Sequence, residues 1–188
     1  MSFFFDREFK EFDLGENYEF KLTAIDPERD CTDYFFYMNH PEVERYIPVG
    51  NKVADVKVAK TELIYWASIF KNRRGAYWKI AKKDDNKIVG TVGFNHISLI
   101  SKKSEISYDL DFNYWGRGVM KKSLSVIVDL AINEIGLCRI QATMATSNKR
   151  SIKLLEKLKF VREGMLRKYE TLSLDSENSD AYIYSFVK

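Results

Sequence analysis

The stretch that most constrains the fold lies between residues 105 and 136, where a predicted strand runs through a glycine turn into a long helix. Residues 105–110 have the length and residue types of a strand, and Gly116-Arg117-Gly118 follows a few residues later. After the turn, apolar residues recur at helical spacing over roughly four turns: Met120, Leu124, Ile127, Val128, Ala131 and Ile135. Gly136 then predicts a left-handed helix cap. We therefore expect this helix to pack its apolar face against the sheet that contains the strand.

The glycine turn is also a candidate anion site. Gly116 and Gly118 have no Cβ, so the main chain can adopt left-handed conformations and approach a ligand closely. The unpaired N–H groups of the first helical turn and the positive end of the helix dipole would point at an anion. A Gly-x-Gly turn is equally expected as a simple connection before a helix, and this alternative stays open. Lys121 stands where a dinucleotide-binding fingerprint has its third glycine, and the sequence has no Walker lysine pattern.

The rest of the chain alternates between strand and helix patterns. Further strands are predicted at residues 18–25, 76–81, 87–96, 138–146, 160–167 and 180–187, and further helical segments at residues 30–39, 41–46, 55–72 and 148–158. This order predicts one α+β domain over residues 1–188, layered α/β/α, with a mixed and mostly antiparallel sheet of six to seven strands and about four helices. Residues 1–17 are expected to form an edge element or an arm.

Composition excludes several classes of protein. The chain has 30 basic and 27 acidic residues, a net charge of +3, so it lacks the general basic field of a nucleic-acid-binding protein. No apolar run reaches the ~20 residues of a membrane span, and the start of the chain does not resemble a secretory signal. Cys31 and Cys138 match no metal-ligand spacing, and Cys138 is expected to be a buried thiol within a strand. The composition indicates a soluble cytoplasmic protein without a metal site.

Three segments resemble one known family. Residues 105–120 are similar to a Glu-Ile-Gly-Tyr-x-Leu strand followed by an acetyl-CoA loop, and residues 146–160 are similar to an Asn-x-x-Ser helix that ends in Gly-Phe. Residues 39–48 resemble an acceptor-side segment. On these motifs the chain is identified as a member of the GCN5-related N-acetyltransferase (GNAT) superfamily, of the RimJ/RimL type. The resemblance implies a sheet with splayed central strands, acetyl-CoA as the acetyl donor and an amine as the acceptor.

Four positions depart from the family pattern. Asn113 replaces a Gln or Arg at the first loop position, and Lys122 replaces a common Glu. Lys159 replaces the Gly before the final Phe, which costs on the order of 1 kcal/mol if the residue keeps a left-handed conformation. Leu155 stands where many members have a tyrosine general acid. This last change removes one catalytic assignment and leaves the scaffold intact.

The resemblance also implies which residues bind the donor. The loop amides would hold the pyrophosphate, namely those of Trp115, Gly116, Arg117, Gly118, Val119 and Met120. The Leu110 amide would bond the acetyl carbonyl, and the main chain of Asp111 and Phe112 would continue the contacts. Asn148 would contact the cofactor or the acceptor, and Ser151 would place its hydroxyl near the sulfur as a proton donor or hydrogen-bond partner. Both residues are equally expected of an ordinary helix N-terminus.

Glu105 occupies the position of the family's catalytic glutamate. It would act as the base while the amine attacks the thioester directly in a ternary complex, since an amine is mostly protonated at neutral pH. The alternative is an exposed strand carboxylate paired with a lysine such as Lys103. Tyr46, His96 and Ser107 are candidate acceptor-side residues.

Three functions remain open from the sequence. The first is acetylation of a protein N-terminal α-amine, of the ribosomal-protein type, and the second is acetylation of a small amine. The third is a non-catalytic acyl-CoA-binding module. An acidic acceptor cleft would favour a cationic acceptor, but the sequence leaves open which of several carboxylates face it: Glu42, Glu44, Glu62 and Asp109. The protein is expected to be a monomer or a homodimer.

Overall fold

The computed structural model describes residues 4–174 and 177–188, and within them eight strands form one mixed sheet. The strands are β1 (Phe12–Asp13), β2 (Phe20–Thr23), β3 (Ala76–Lys82), β4 (Ile88–Ser98), β5 (Lys103–Leu110), β6 (Arg139–Ala145), β7 (Val161–Glu170) and β8 (Ser179–Val187). Their order in the sheet is β1-β2-β3-β4-β5-β6-β8-β7. The predicted count of six to seven was too low by the edge strand β1, where Phe12 pairs with Leu22. The α+β class with a mixed, mostly antiparallel sheet is confirmed.

Helices cover both faces of the sheet. The described residues contain five α-helices: α1 (Pro27–Met38), α2 (Pro41–Glu44), α3 (Val56–Ser68), α4 (Val119–Asp129) and α5 (Lys149–Lys157). Tyr77 packs with α1, α2 and α3 on one face, whereas its neighbour Trp78 belongs to the core under α4 and α5 on the other. Adjacent strand residues point to opposite faces, so this pair defines the two layers. None of the helices in the described residues has the length and apolarity to cross a membrane.

Local sequence explains where the helices begin and end. Asp26 caps α1 by accepting from the N–H groups of Glu28 and Arg29, with Pro27 at the first helical position. The predicted helix after the glycine turn is confirmed, because α4 continues as a π-helical segment (Leu130–Ile135) and ends at Gly136 with φ of 81°. Lys159 holds the left-handed conformation that the resemblance implied, with φ of 67°.

The central strands splay apart, as the resemblance implied. β5 and β6 run parallel and pair only at Lys103 with Arg139, Ser104 with Ile140, and Glu105 with Gln141. Beyond Glu105 the two strands diverge and leave a gap in the middle of the sheet. The backbone of β5 after residue 105 therefore has no partner strand on that side, and this gap positions the site described below.

The burial predicted for Cys138 was wrong. Both cysteines are free thiols, and Cys31 is buried but Cys138 is exposed. Cys138 lies in the connection that leads into β6 and not within the strand, where its N–H donates to the Lys102 carbonyl at 2.7 Å. A residue at this end of the sheet is not covered by the helices that bury Ile140.

Candidate active site

Two cavities meet in the gap between β5 and β6. One, of about 420 Å³, lies beside the glycine turn and α5, and we call it the basic cavity. The other, of about 330 Å³, lies under α1 and α3, and we call it the acidic cavity. They share six lining residues: Tyr46, Ile47, Tyr108, Asp109, Asn148 and Ser151. Two ligands that enter from opposite sides of the sheet would meet at these shared residues, which we call the junction.

The glycine turn presents an open helix N-terminus to the basic cavity. Gly116 and Gly118 both have φ of 77°, the left-handed conformation in which glycine is favoured. Gly118 is the N-cap of α4 and supplies no side-chain cap, and the first helical N–H with a backbone acceptor is that of Lys122, 3.0 Å from the Gly118 oxygen. The amides of Val119 and Met120 therefore face outward unpaired, as expected at a helix start. The Trp115 amide differs, because it donates to the Phe112 carbonyl at 3.1 Å.

Basic side chains surround this helix N-terminus. Four of them line the basic cavity: Lys121, Arg150, Lys153 and Lys157. The Arg150 guanidinium lies over the ring of Trp115, 5.0 Å from its centroid, which fixes its position at the cavity wall. Unpaired amides, a helix dipole and four cations together suit a ligand with several negative charges.

The end of β5 directs one backbone amide into the gap. The Asp111 N–H donates to the Val89 carbonyl of β4 at 2.8 Å, and in an antiparallel ladder alternate residues point to opposite sides. The Leu110 N–H therefore points away from β4, toward the gap, while the Leu110 carbonyl accepts from the Trp115 indole at 2.8 Å. The Asp111 amide is already bonded within the sheet.

Three of the donor-side residues named from sequence, Asp111, Phe112 and Arg117, are not among the residues that line the basic cavity. The Asp111 carboxylate accepts from the Asn113 N–H at 2.9 Å and so closes the turn after β5. The Phe112 ring stacks on His40, 4.6 Å between centroids, within the core under α1 and α2. The Arg117 guanidinium lies over the Tyr114 ring, 5.2 Å from its centroid.

Carboxylates line the acidic cavity. They are Glu62, Glu105, Asp109 and Glu170, and none of the cavity's lining residues within the described chain is basic. Glu105 sits at the last paired position of β5, where the gap begins. Burial, and after it the charge of Glu105, raise the pKa of Glu170. Among the described residues, no ion pair joins Glu105 to Lys103.

A second pair of acidic groups lies deeper in this cavity. Asp109 accepts hydrogen bonds from the hydroxyls of Tyr37 and Thr91, both at 2.6 Å, and from the Thr91 N–H at 3.0 Å. Burial raises the pKa of Asp109 to about 6 against the effect of these bonds, and the charge of Glu62 adds to the rise. Burial also raises the pKa of Glu62, which accepts from the Trp66 indole at 3.3 Å. A cation in the cavity would relieve both shifts.

The candidate acceptor residues divide between the cavity and the surface. Tyr46 and Ser107 line the acidic cavity, and the Ser107 hydroxyl donates to Asn95 Oδ1 at 2.7 Å. His96 is exposed and lies outside both cavities. A register shift between Phe94 and His96 explains the difference, because it turns Asn95 toward the cavity in place of its neighbour.

The start of α5 forms the far side of the junction. The Asn148 side chain accepts from the Ser151 N–H at 3.1 Å, the ordinary cap that the sequence predicts, and both residues line both cavities. The Tyr108 hydroxyl, from β5, is buried at the same place and has no hydrogen-bond partner. Leu155, which stands where many family members have a tyrosine general acid, is fully buried in the core. This position of α5 therefore offers no polar side chain to the junction.

The sequence did not indicate Tyr108 or Glu170. Tyr108 was part of a recognised motif without a role, and its position at the junction follows from the splay. Glu170 lay beyond residue 167, where β7 was predicted to end, but β7 extends to Glu170 across a register shift between Leu166 and Glu170. Only a longer prediction for β7 could have placed Glu170 on this strand, and sequence patterns determine the ends of strands poorly.

Comparisons with known proteins agree with this geometry. Residues 20–161 match the family model described as the acetyltransferase (GNAT) domain. The chain is 29% identical over 161 residues to the uncharacterized N-acetyltransferase YoaA of Bacillus subtilis (strain 168), covering 86% of this chain and 89% of that protein. It is 32% identical over 152 residues to the uncharacterized N-acetyltransferase p20 of Bacillus licheniformis, covering 81% and 84%.

Solved structures share the whole fold. The ribosomal-protein acetyltransferase RimL in complex with coenzyme A superposes with a TM-score of 0.82 at 17% identity, over 95% of this chain and 98% of that one. At this identity the likeness concerns the fold alone. The family model covers most of the sheet, the glycine turn and α5, and the chain therefore belongs to the GNAT acetyltransferase family.

Proposed function

We propose that this acetyltransferase moves the acetyl group of acetyl-CoA to a primary amine at the junction, with Glu105 as the base. The observation that carries the proposal is the meeting of two cavities of opposite charge in the gap beside Glu105. An acyl-CoA carries several phosphate charges, and an amine acceptor arrives as a cation, so each cavity suits one of the two substrates.

Donor binding is assigned to the basic cavity. The amides of Gly116, Gly118, Val119 and Met120 would hold the pyrophosphate at the start of α4, with the four basic side chains as counter-charges. The Leu110 N–H, which points into the gap, would donate to the thioester carbonyl and stabilise the negative charge that develops there. The RimL structure in complex with coenzyme A supports acetyl-CoA as the donor.

The amine must lose its proton before it attacks. Glu105 lines the acidic cavity where β5 leaves β6, and this position supports its assignment as the base that takes the proton directly or through a water. Glu170 shares the acidic cavity, and its charge favours an ammonium group before transfer. Ser151, on the other side of the junction, is placed to contact the leaving sulfur.

For the acceptor we propose a protein N-terminal α-amine, in line with the ribosomal-protein acetyltransferases among the structural neighbours. A small cationic amine is the second candidate, and the acidic cavity favours it. Glu62 and Asp109 face the cavity, whereas Glu42 pairs with Arg45 at 3.4 Å and Glu44 with Lys52 at 2.8 Å outside it.

We also propose a cytoplasmic location, which the two free thiols support, and a monomer or homodimer without a nucleic-acid partner.

A thiol-release assay with acetyl-CoA tests the proposal. The acceptors are short peptides with a free α-amine, the same peptides with the amine blocked, and amines and diamines of matched length. We expect release only with free amines, and a loss of about 10²- to 10⁴-fold in kcat/KM for Glu105→Gln. Glu42→Gln is the matched control outside the cavities and should retain wild-type rates.

Other results would redirect the assignment. If Glu170→Gln abolishes turnover and Glu105→Gln does not, Glu170 is the base. If no amine supports thiol release while coenzyme A still stabilises the protein, the chain is a non-catalytic acyl-CoA-binding module. Coenzyme A at ~100 times its Kd should add about 2.7 kcal/mol to the free energy of unfolding.

A further inference from the structure

One buried hydroxyl at the junction has no partner. Among the described residues, two buried side-chain polar atoms lack a hydrogen bond, Asn86 Oδ1 and the hydroxyl oxygen of Tyr108. Asn86 lies in the turn between β3 and β4, away from both cavities. Tyr108 lines both cavities. A buried polar group without a partner is costly, so an unpaired hydroxyl at a ligand cavity indicates an atom of the ligand as its partner.

The position of Tyr108 follows from the strand that carries it. Ile106, Tyr108 and Leu110 alternate toward the α4 and α5 side of the sheet, and Ile106 and Leu110 are buried in that core. Tyr108 stands between them, after the last residue that pairs with β6. Its side chain therefore fills the opening of the splay, where a fully paired sheet would leave no cavity. Burial raises the pKa of Tyr108 and the nearby Ser151 hydroxyl acts against that rise, although the Tyr108 hydroxyl makes no hydrogen bond in the described structure.

We propose that the Tyr108 hydroxyl donates a hydrogen bond to the sulfur of the acyl donor and stabilises it as the thiolate leaves. This inference rests on the proposed function, because it requires a thioester at the junction. The Leu110 N–H, two residues along the same strand, is already assigned to the thioester carbonyl. The sulfur is the remaining reacting atom that needs a donor. Ser151 is already proposed to contact it from α5, and the Tyr108 hydroxyl is the junction donor that is buried without a partner.

The chemistry balances with Tyr108 as a donor that keeps its proton. The ammonium group gives one proton to Glu105, and the neutral amine nitrogen then bonds to the carbonyl carbon. The carbon–sulfur bond breaks with its electron pair staying on sulfur, and the nitrogen releases its second proton to water as the amide forms. Burial raises the pKa of Tyr108 to about 12, above the ~8.5 of an ordinary thiol, so full transfer to the thiolate is uphill. Glu105 returns its proton to water, and the thiolate takes one from water after release.

Tyr108→Phe tests the inference because it removes the hydroxyl and keeps the ring. We expect kcat to fall by about tenfold to a hundredfold, the range for a hydrogen bond to a charged group. The urea midpoint of the ligand-free protein should stay the same or rise, because the lost hydroxyl had no partner. A fall in the midpoint would mean that the hydroxyl is bonded in the free protein, and would overturn the inference.

Tyr184→Phe is the matched control. The Tyr184 hydroxyl donates to Glu156 at 3.0 Å, and neither Tyr184 nor Glu156 lines either cavity. Its loss should lower the urea midpoint and leave kcat unchanged. Tyr108→Phe is thus expected to lower kcat without lowering the urea midpoint, and Tyr184→Phe to lower the urea midpoint without changing kcat.

Binding provides a measurement that does not depend on turnover. Coenzyme A and desulfo-coenzyme A, which lacks the sulfur, are titrated into the wild type and into Tyr108→Phe by calorimetry. The wild type should bind coenzyme A more tightly than desulfo-coenzyme A. In Tyr108→Phe, the ratio of the two dissociation constants should be at most half of the wild-type ratio. An equal ratio in both proteins would overturn the inference. If the wild type binds neither compound, the proposed function fails, and if it binds and turns over while the variant matches it, only the role of Tyr108 fails.

Discussion

Replacing Asp109 by Asn should remove part of the pH dependence of the protein's stability. The pKa of this carboxyl is raised from 3.8 to about 6, mainly by burial. Between these two values the folded protein holds the proton and the unfolded chain does not, so ionisation of Asp109 opposes folding. Its stabilising contribution is complete below about pH 4 and is lost as the pH rises through 6.

The size of the effect follows from the shift. A rise of about two pKa units, at ~1.4 kcal/mol per unit, corresponds to roughly 3 kcal/mol. Asparagine can keep the local bonds, because its oxygen can accept from the Tyr37 hydroxyl and the Thr91 N–H. The Thr91 hydroxyl can rotate to accept from the new amide group. The variant should therefore fold, and the comparison isolates the charge.

Urea unfolding of the wild type and of Asp109→Asn between pH 4 and pH 7.5 measures this contribution of Asp109 ionisation to stability. The free energy of unfolding of the wild type minus that of Asp109→Asn should decrease by ~3 kcal/mol across this range. The raised pKa values of Glu62 and Glu170 act in the same direction in both proteins and largely cancel. Thr91→Val should move the decrease to higher pH, because the Thr91 hydroxyl lowers the pKa of Asp109. A difference that stays constant from pH 4 to pH 7.5 would refute the reasoning.

Three further predictions concern the scaffold. Asp30→Ala should cost about 3–5 kcal/mol in urea unfolding, because it leaves Lys79 buried without the partner that lies at 2.8 Å, and adding Lys79→Met should recover most of the loss. Gly118→Ala should cost about 1–2 kcal/mol through its left-handed φ and should weaken coenzyme A binding in calorimetry. Arg139 lowers the pKa of Glu163 to about 2, so the Glu163 carboxylate stabilises the fold above pH 4.5. Glu163→Gln should reduce the loss of stability that the wild type shows in thermal melts as the pH falls toward 2.

The parts of the site that sequence predicted are those made by neighbouring residues. A strand, two glycines and a helix start within fifteen residues determine the turn conformation, so Gly116 and Gly118 and the unfilled start of α4 could be inferred before the fold was known. The cap between Asn148 and Ser151 spans one helical turn and was equally accessible. Such features depend on backbone propensities that act over a few residues.

The other parts depend on register between strands. The Asp111 amide was expected to serve the donor, but its bond to Val89 is set by how β4 pairs with β5. One register shift turned Asn95 inward and His96 outward, and another carried Glu170 to the acidic cavity. A shift of one residue exchanges the two faces of a strand, and no local pattern in this chain specifies where it occurs.

The separation of charge between the cavities also gives the proposed reaction a direction. Before the proposed transfer, the acceptor nitrogen would be a cation among the carboxylates that line the acidic cavity, namely Glu105, Glu170, Glu62 and Asp109. Acetylation turns that nitrogen into a neutral amide, so the carboxylates lose the charge that held it and their mutual repulsion returns. The donor changes in the opposite sense, since the leaving thiolate adds negative charge on the side where Lys121, Arg150, Lys153 and Lys157 lie. The acetylated product should therefore leave before coenzyme A, and product inhibition by the amide should be weaker than inhibition by coenzyme A.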